Sequence, residues 1–193
     1  MISKKVFWLT FFALAIVFFL ASTGQAQETA PKVKPPVITS SFAVDKGQYG
    51  YIWKIYIEAE DTEGAMYKIA SVVDQPGAGR YSTDWIMVKP QYQHHLKGYI
   101  QWNTFSSKGP IGEFTPITLT LSIIDKAGNE SNAVVFPFTF VSGVKDQYRY
   151  KLPAPFDEGN LPRLGYVQID LFDPAIDGSR GLGFIDSGIR PDD

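Results

Sequence analysis

The sequence predicts an all-β chain: a seven-stranded antiparallel sandwich, preceded by an N-terminal signal helix and followed by a mostly irregular tail with one extra strand. The first observation behind this is Ile117 to Ser131, where Ile117, Leu119, Leu121 and Ile123 alternate with Thr118, Thr120 and Ser122. Period-two alternation puts the aliphatics on one face of a strand and the hydroxyls on the other, as a half-buried antiparallel sheet requires. The second is a regular series of short apolar runs separated by Gly-, Pro- or Asp-bearing turns. The third is that no helical period of any length occurs beyond the N-terminal segment, which leaves sheets to form the layers.

The chain opens with Lys4 and Lys5, runs uncharged from Val6 to Ala21 and reaches Gly24-Gln25-Ala26. A basic start, an apolar stretch and a small-x-small site make residues 1–26 a secretory signal, cut between Ala26 and Gln27. The competing expectation is a retained membrane anchor, since the apolar run approaches the ~20 residues that span a bilayer. The cleavage-site pattern favours removal, and a membrane partner follows only if the segment is kept. An exported, periplasmic or extracellular protein is therefore expected. The 193 residues include no cysteine, which excludes disulfides, lipid attachment at cysteine, thiolate nucleophiles and cysteine metal sites. Losing Lys4 and Lys5 takes the formal charge from −2 to −4, and no basic block occurs, so nucleic acid is not an expected partner.

Residues 27–36, with Pro31, Pro35 and Pro36 among them, read as an extended linker. The sandwich is expected over 37–141, with strands at Val37–Ala43, Tyr51–Glu60, Met66–Asp74, Thr83–Val88, Leu96–Phe105, Ile117–Ile124 and Ala133–Val141. Asp45-Lys46-Gly47, Thr62-Glu63-Gly64 and Pro76-Gly77-Ala78-Gly79 supply turns. In the second strand Trp53, Ile55, Ile57 and Ala59 share a face opposite Lys54, Tyr56 and Glu58. In the fifth, Leu96, Ile100 and Trp102 do so against Tyr99, Gln101 and Asn103. The first set of each belongs to the core. Pro137 interrupts the seventh strand, which suits an edge position or a bulge. From Ser142 to Asp193 Gly, Pro and Asp dominate. Only Leu164–Phe172 alternates, presenting Val167, Ile169 and Leu171 on one face, and Asp173–Asp193 is expected to be mobile or to order on a partner.

The acidic turn Glu60-Asp61-Thr62-Glu63-Gly64 after the second strand and Asp125-Lys126-Ala127-Gly128-Asn129 after the sixth give the chain a family likeness. Over Val37 to Val141 it resembles the bacterial immunoglobulin-like domains of exported proteins, in which a strand ends in D-x-A-G-N at the last hairpin. Trp53 on the second strand is closer to the fibronectin type III habit, and the subfamily stays open. The resemblance implies a spacer, adhesin unit or accessory module. This chain carries a single module and lacks the inter-sheet cysteine pair of antibody domains and the corner tyrosine of the sixth strand expected in either family.

In such a sandwich the turns after the second and sixth strands lie at one end, which makes Glu60, Asp61, Asp125 and Asn129 candidate calcium ligands. The plainer expectation, which we favour, is that Asp and Asn bond their own turn backbones, with no cofactor. His94 and His95 are adjacent, point to opposite faces and do not chelate one metal. No Gly-x-Ser-x-Gly, His-Glu-x-x-His or Walker loop occurs, so no enzyme is expected. A glycosidase-like carboxylate pair is the only enzymatic alternative composition leaves. Aromatics carry the binding signal: Trp85, Tyr92, Tyr99 and Phe105 fall outside the core set, either bare for a ligand or covered by the tail strand. The expected function is a non-catalytic exported module that binds another envelope or surface protein. The alternative is a carbohydrate-binding module stacking glycan on Trp85 and Tyr99. Mass spectrometry of the extracytoplasmic protein should find a mature N-terminus near Gln27, and an intact Met1 there would establish an anchor.

Overall fold

A computed structural model of the protein describes residues 34–106, 111–143 and 149–172. The expected signal segment, most of the expected linker and the terminal stretch from Asp173 lie outside the described residues. Two sheets pack face to face. One runs β1 (Val37–Phe42), β3 (Ile52–Glu60), β7 (His95–Asn103) and β10 (Arg163–Val167). The other runs β2 (Lys46–Gly47), β9 (Val134–Phe140), β8 (Pro116–Asp125) and β4 (Met66–Gln75). Beyond β4, β5 (Gly79–Arg80) and β6 (Asp84–Met87) pair end to end along the same edge. One 3-10 turn, Pro90–Tyr92, links β6 to β7. Among the described residues no helix is long and apolar enough to cross a membrane.

All seven predicted strands are present, but the described residues hold ten, and the sandwich is not purely antiparallel. β2 pairs parallel with β9, and β10 pairs parallel with β7. β2 occupies residues the sequence assigns to a turn. Two residues carry no alternation, so only the tertiary fold shows them as a strand. The face assignments hold for Trp53, Ile55, Ile57, Ala59, Leu96, Ile100 and Trp102, all buried. Pro137 sits opposite Thr118 of β8, on a strand whose other neighbour is only the two-residue β2. Trp53 and Trp102 are cross-strand partners with ring centroids 6.0 Å apart, and Phe138 of the opposite sheet lies 4.6 Å from Trp53. At one side of the sandwich Asn132 bridges the sheets, accepting from the Ile38 N–H at 2.8 Å and donating to the Ile38 carbonyl at 3.1 Å.

The C-terminal segment does two things that alternation alone does not predict. Residues 149–162 cross the outer face of the first sheet, where Phe156 lies 5.8 Å from the Tyr56 ring and Tyr150 lies 6.0 Å from Phe42. Tyr56, placed outside the core by sequence, is consequently only 6% exposed. The Tyr150 hydroxyl stands 3.5 Å from that of Tyr56, and burial holds it well above the usual phenol range. The chain then enters the sheet as β10, shorter than the expected Leu164–Phe172. It extends the sheet edge at β7 and does not lie over Trp85 or Tyr99. Leu164, Val167 and Leu171 are buried, and the Ile169 carbonyl accepts the Trp102 indole N–H at 3.0 Å. A register shift between Arg163 and Gly165 changes the phase of the alternation and turns Leu164 inward as well.

Gly98 permits this docking. A side chain there would run into the Pro162 carbonyl, which accepts the Tyr99 N–H at 3.0 Å, and into Leu164. Gly98→Ala should therefore loosen the tail while leaving the sandwich core in place, with a local cost on the order of 1–3 kcal/mol. Hydrogen exchange should rise across Arg163–Phe172 and stay slow in β8. An equal rise in β8 would show that the tail and the core unfold as one unit.

Candidate binding surfaces

The two acidic turns do meet, because β4 and β8 pair with Met66 opposite Asp125, and the Lys126 N–H donates to the Ala65 carbonyl at 2.9 Å. Their carboxylates are committed inside their own turns. Asp61 is buried, and its oxygens accept the Glu63 N–H at 2.9 Å and the Ala65 N–H at 3.0 Å. Asp125, also buried, accepts the Asn129 backbone N–H at 2.8 Å and the Asn129 amide at 2.7 Å. Glu60 is exposed at the end of β3, opposite His95. Gly64 and Gly128 take the positive φ that each turn needs, and Gly64 has no room for a side chain beside the His94 ring. Among the described residues no three His, Asp or Glu side chains come together as a metal set. His94 and His95 are both exposed, and His95 Nε2 lies 3.4 Å from Glu58.

The four aromatics named from sequence do not share a surface. Trp85 stands on the outer face of the second sheet, 46% exposed, with Lys68 Nζ 3.9 Å from its ring centroid. Tyr99 lies on the outer face of the first sheet, half-buried, beside Tyr56 at 5.7 Å and Lys54 Nζ at 4.9 Å. Tyr92, in the 3-10 turn before β7, is half-buried and packs on the core. Phe105, just past the other end of β7, is 54% exposed and pairs with Tyr49 at 5.5 Å. Trp85 and Tyr99 thus face away from each other across the sandwich, and one glycan cannot stack on both.

Around Trp85 the pairing gathers apolar side chains on one face, interrupted by Lys68 and Thr120. Trp85 is opposite Ala70 on β4 and Met87 opposite Lys68, while Val72 is opposite Thr120, which pairs with Val135 on β9. Met87 and Val135 are 52% and 59% exposed. Sequence reasoning missed Met87 and Val135. Met87 lies two residues from Trp85 on one strand and was within reach of the alternation rule. Val135 becomes a neighbour only through the order β9-β8-β4-β6. The two sheets therefore differ: on the first, residues 149–162 bury Tyr56 while Tyr99 is half-buried, and on the second Trp85, Met87 and Val135 are uncovered among the described residues.

No protein-family model matches the chain, and no curated protein matches it. Among solved structures, the PKD domain of an M14-like peptidase from Thermoplasmatales archaeon SCGC AB-540-F20 aligns with 14% identity and a TM-score of 0.38. The alignment covers 57% of this chain and 99% of that domain.

If the carboxylates serve their turns, Asp125→Ala strands the Asn129 donors. It should cost about 1–3 kcal/mol in urea unfolding, equally with calcium and with chelator. Millimolar calcium should raise the melting temperature of the wild type no more than magnesium at equal ionic strength. A calcium-specific rise would assign the turns to an ion.

Proposed function

We propose that the chain is a non-catalytic, exported envelope module that binds another protein through the outer face of β6, β4, β8 and β9, with Trp85 on the edge strand as its aromatic anchor. The observation that carries this reading is the contrast between the two sheet faces. A sheet face with Trp85, Met87 and Val135 each more than two-fifths exposed is what a protein contact surface presents. Aromatic and methionine side chains are enriched in the buried centres of such contacts. Export is supported by the basic, apolar and small-residue pattern of the first 26 residues, and the non-catalytic reading by carboxylates that serve their own turns.

A photoreactive residue at Met87, introduced in the exporting cell, should give one dominant protein adduct. Trp85→Asp should abolish that adduct while leaving the melting temperature within a few degrees of wild type. An adduct that persists in Trp85→Asp, or equal labelling from a photoreactive residue at Glu60 away from this face, would overturn the assignment. Trp85→Ala loss of binding on a neutral glycan array, with no protein adduct, would replace the protein partner by a glycan.

A further inference from the structure

The first sheet carries a second surface, independent of the partner proposed for the opposite face. On β3, β7 and β10 the register aligns Lys54 with Gln101 and Gln101 with Tyr166, while Arg163 aligns with Tyr99. Ile100 and Trp102 of β7 point into the core, so Tyr99 and Gln101 point outward. Val167 is buried beside Trp102, which turns Tyr166 to the same outer face. Both cations are positioned by rings: Lys54 Nζ is 4.9 Å from the Tyr99 centroid, and the Arg163 guanidinium is 4.3 Å from that of Tyr166. Among the described residues neither Lys54 nor Arg163 has a carboxylate partner. Glu58, on the same face of β3, is engaged by Lys97 and His95.

Beside this row a cleft of about 260 Å³ opens between Lys54, Tyr56 and Tyr99 of the sheet and Leu152, Asn160 and Leu161 of the covering segment. Its lining holds a cation, phenol groups and an amide, with no carboxylate. The volume is near the lower end of small-molecule sites and suits a single compact ring. Lys54 and Tyr166 flank Gln101 two strand spacings apart, about 10 Å, which is close to the length of a disaccharide.

We propose that this face binds an acidic saccharide, one sugar residue seated in the cleft beside Tyr99 and its carboxylate or sulfate groups held by Lys54 and Arg163. Unpartnered cations select the anion. The Gln101 and Asn160 amides and the tyrosine hydroxyls supply the neutral donors and acceptors that sugar hydroxyls match. An acidic peptide would use the cations and leave the ring-sized cleft without a role. β10 supplies Arg163 and Tyr166, and residues 149–162 supply the cleft wall, so the C-terminal segment completes the site.

Calorimetric titration of the full mature chain tests this with hexagalacturonate, a sulfated hexasaccharide, fully methyl-esterified hexagalacturonate and hexaglutamate. Either acidic saccharide should bind with an affinity that falls as salt rises, and which one binds identifies the charged group. Lys54→Gln and Arg163→Gln should each weaken it roughly tenfold, one charge-assisted contact, without moving the melting temperature. Trp85→Ala should leave it unchanged, which separates this site from the opposite face. Equal binding of the methyl ester or of hexaglutamate, no binding of either acidic saccharide, or full affinity in both Gln variants would overturn the proposal.

Discussion

The fold depends on placing two indole N–H groups inside its packed core. Trp53 and Trp102 are buried cross-strand partners, and each N–H left unpaired there would cost about 1–3 kcal/mol. Neither is satisfied by a strand. Trp53 donates to the Val44 carbonyl at 2.9 Å, in the passage from β1 to β2, and Trp102 donates to Ile169, just past β10. The first bond fixes where the chain crosses from one sheet to the other, and the second fixes where the C-terminal segment comes to rest. A one-residue slip between β3 and β7 would turn one of the two rings to the outer face and lose its anchor, so the tryptophans also hold the register.

What could be read from the sequence follows from the range over which each signal acts. Alternation is local, and it located seven strands and the buried faces of β3 and β7. The acidic turns were legible for the same reason: Asp61 and Asp125 bond residues two to four positions away. Pairing partners are not local. Nothing in Arg163–Val167 announces a parallel neighbour, and the glycine that admits it, Gly98, sits in another strand. Tyr56 was misplaced because the residues that bury it, Tyr150 and Phe156, lie about a hundred positions away in a segment with no period.

The candidate surfaces show the same division. Trp85 and Tyr99 could be recognised as aromatics outside the core, but their separation onto opposite sheets follows from strand order alone. Once that order is known, the two faces have different chemistry. One sets exposed Trp85, Met87 and Val135 around Lys68 and Thr120. The other is a row of ring-held cations and amides whose wall is the chain's own C-terminal segment. If both proposed contacts form, a small chain without disulfides links a protein on one side to an acidic saccharide on the other.

The paired bonds between Asn132 and Ile38 have a consequence for how the chain meets other copies of itself. A side-chain amide that both donates to and accepts from one residue of β1 imitates an incoming strand at that position. Just past β10, at the opposite edge of the same sheet, Asp84 accepts the Gln168 N–H at 2.8 Å and the Tyr81 hydroxyl accepts the Phe172 N–H at 3.0 Å. Side chains thus occupy backbone groups at both ends of the sheet order, where a second chain would otherwise begin to template. A chain that folds among copies of itself is thereby protected against edge-to-edge aggregation without a cysteine to lock it.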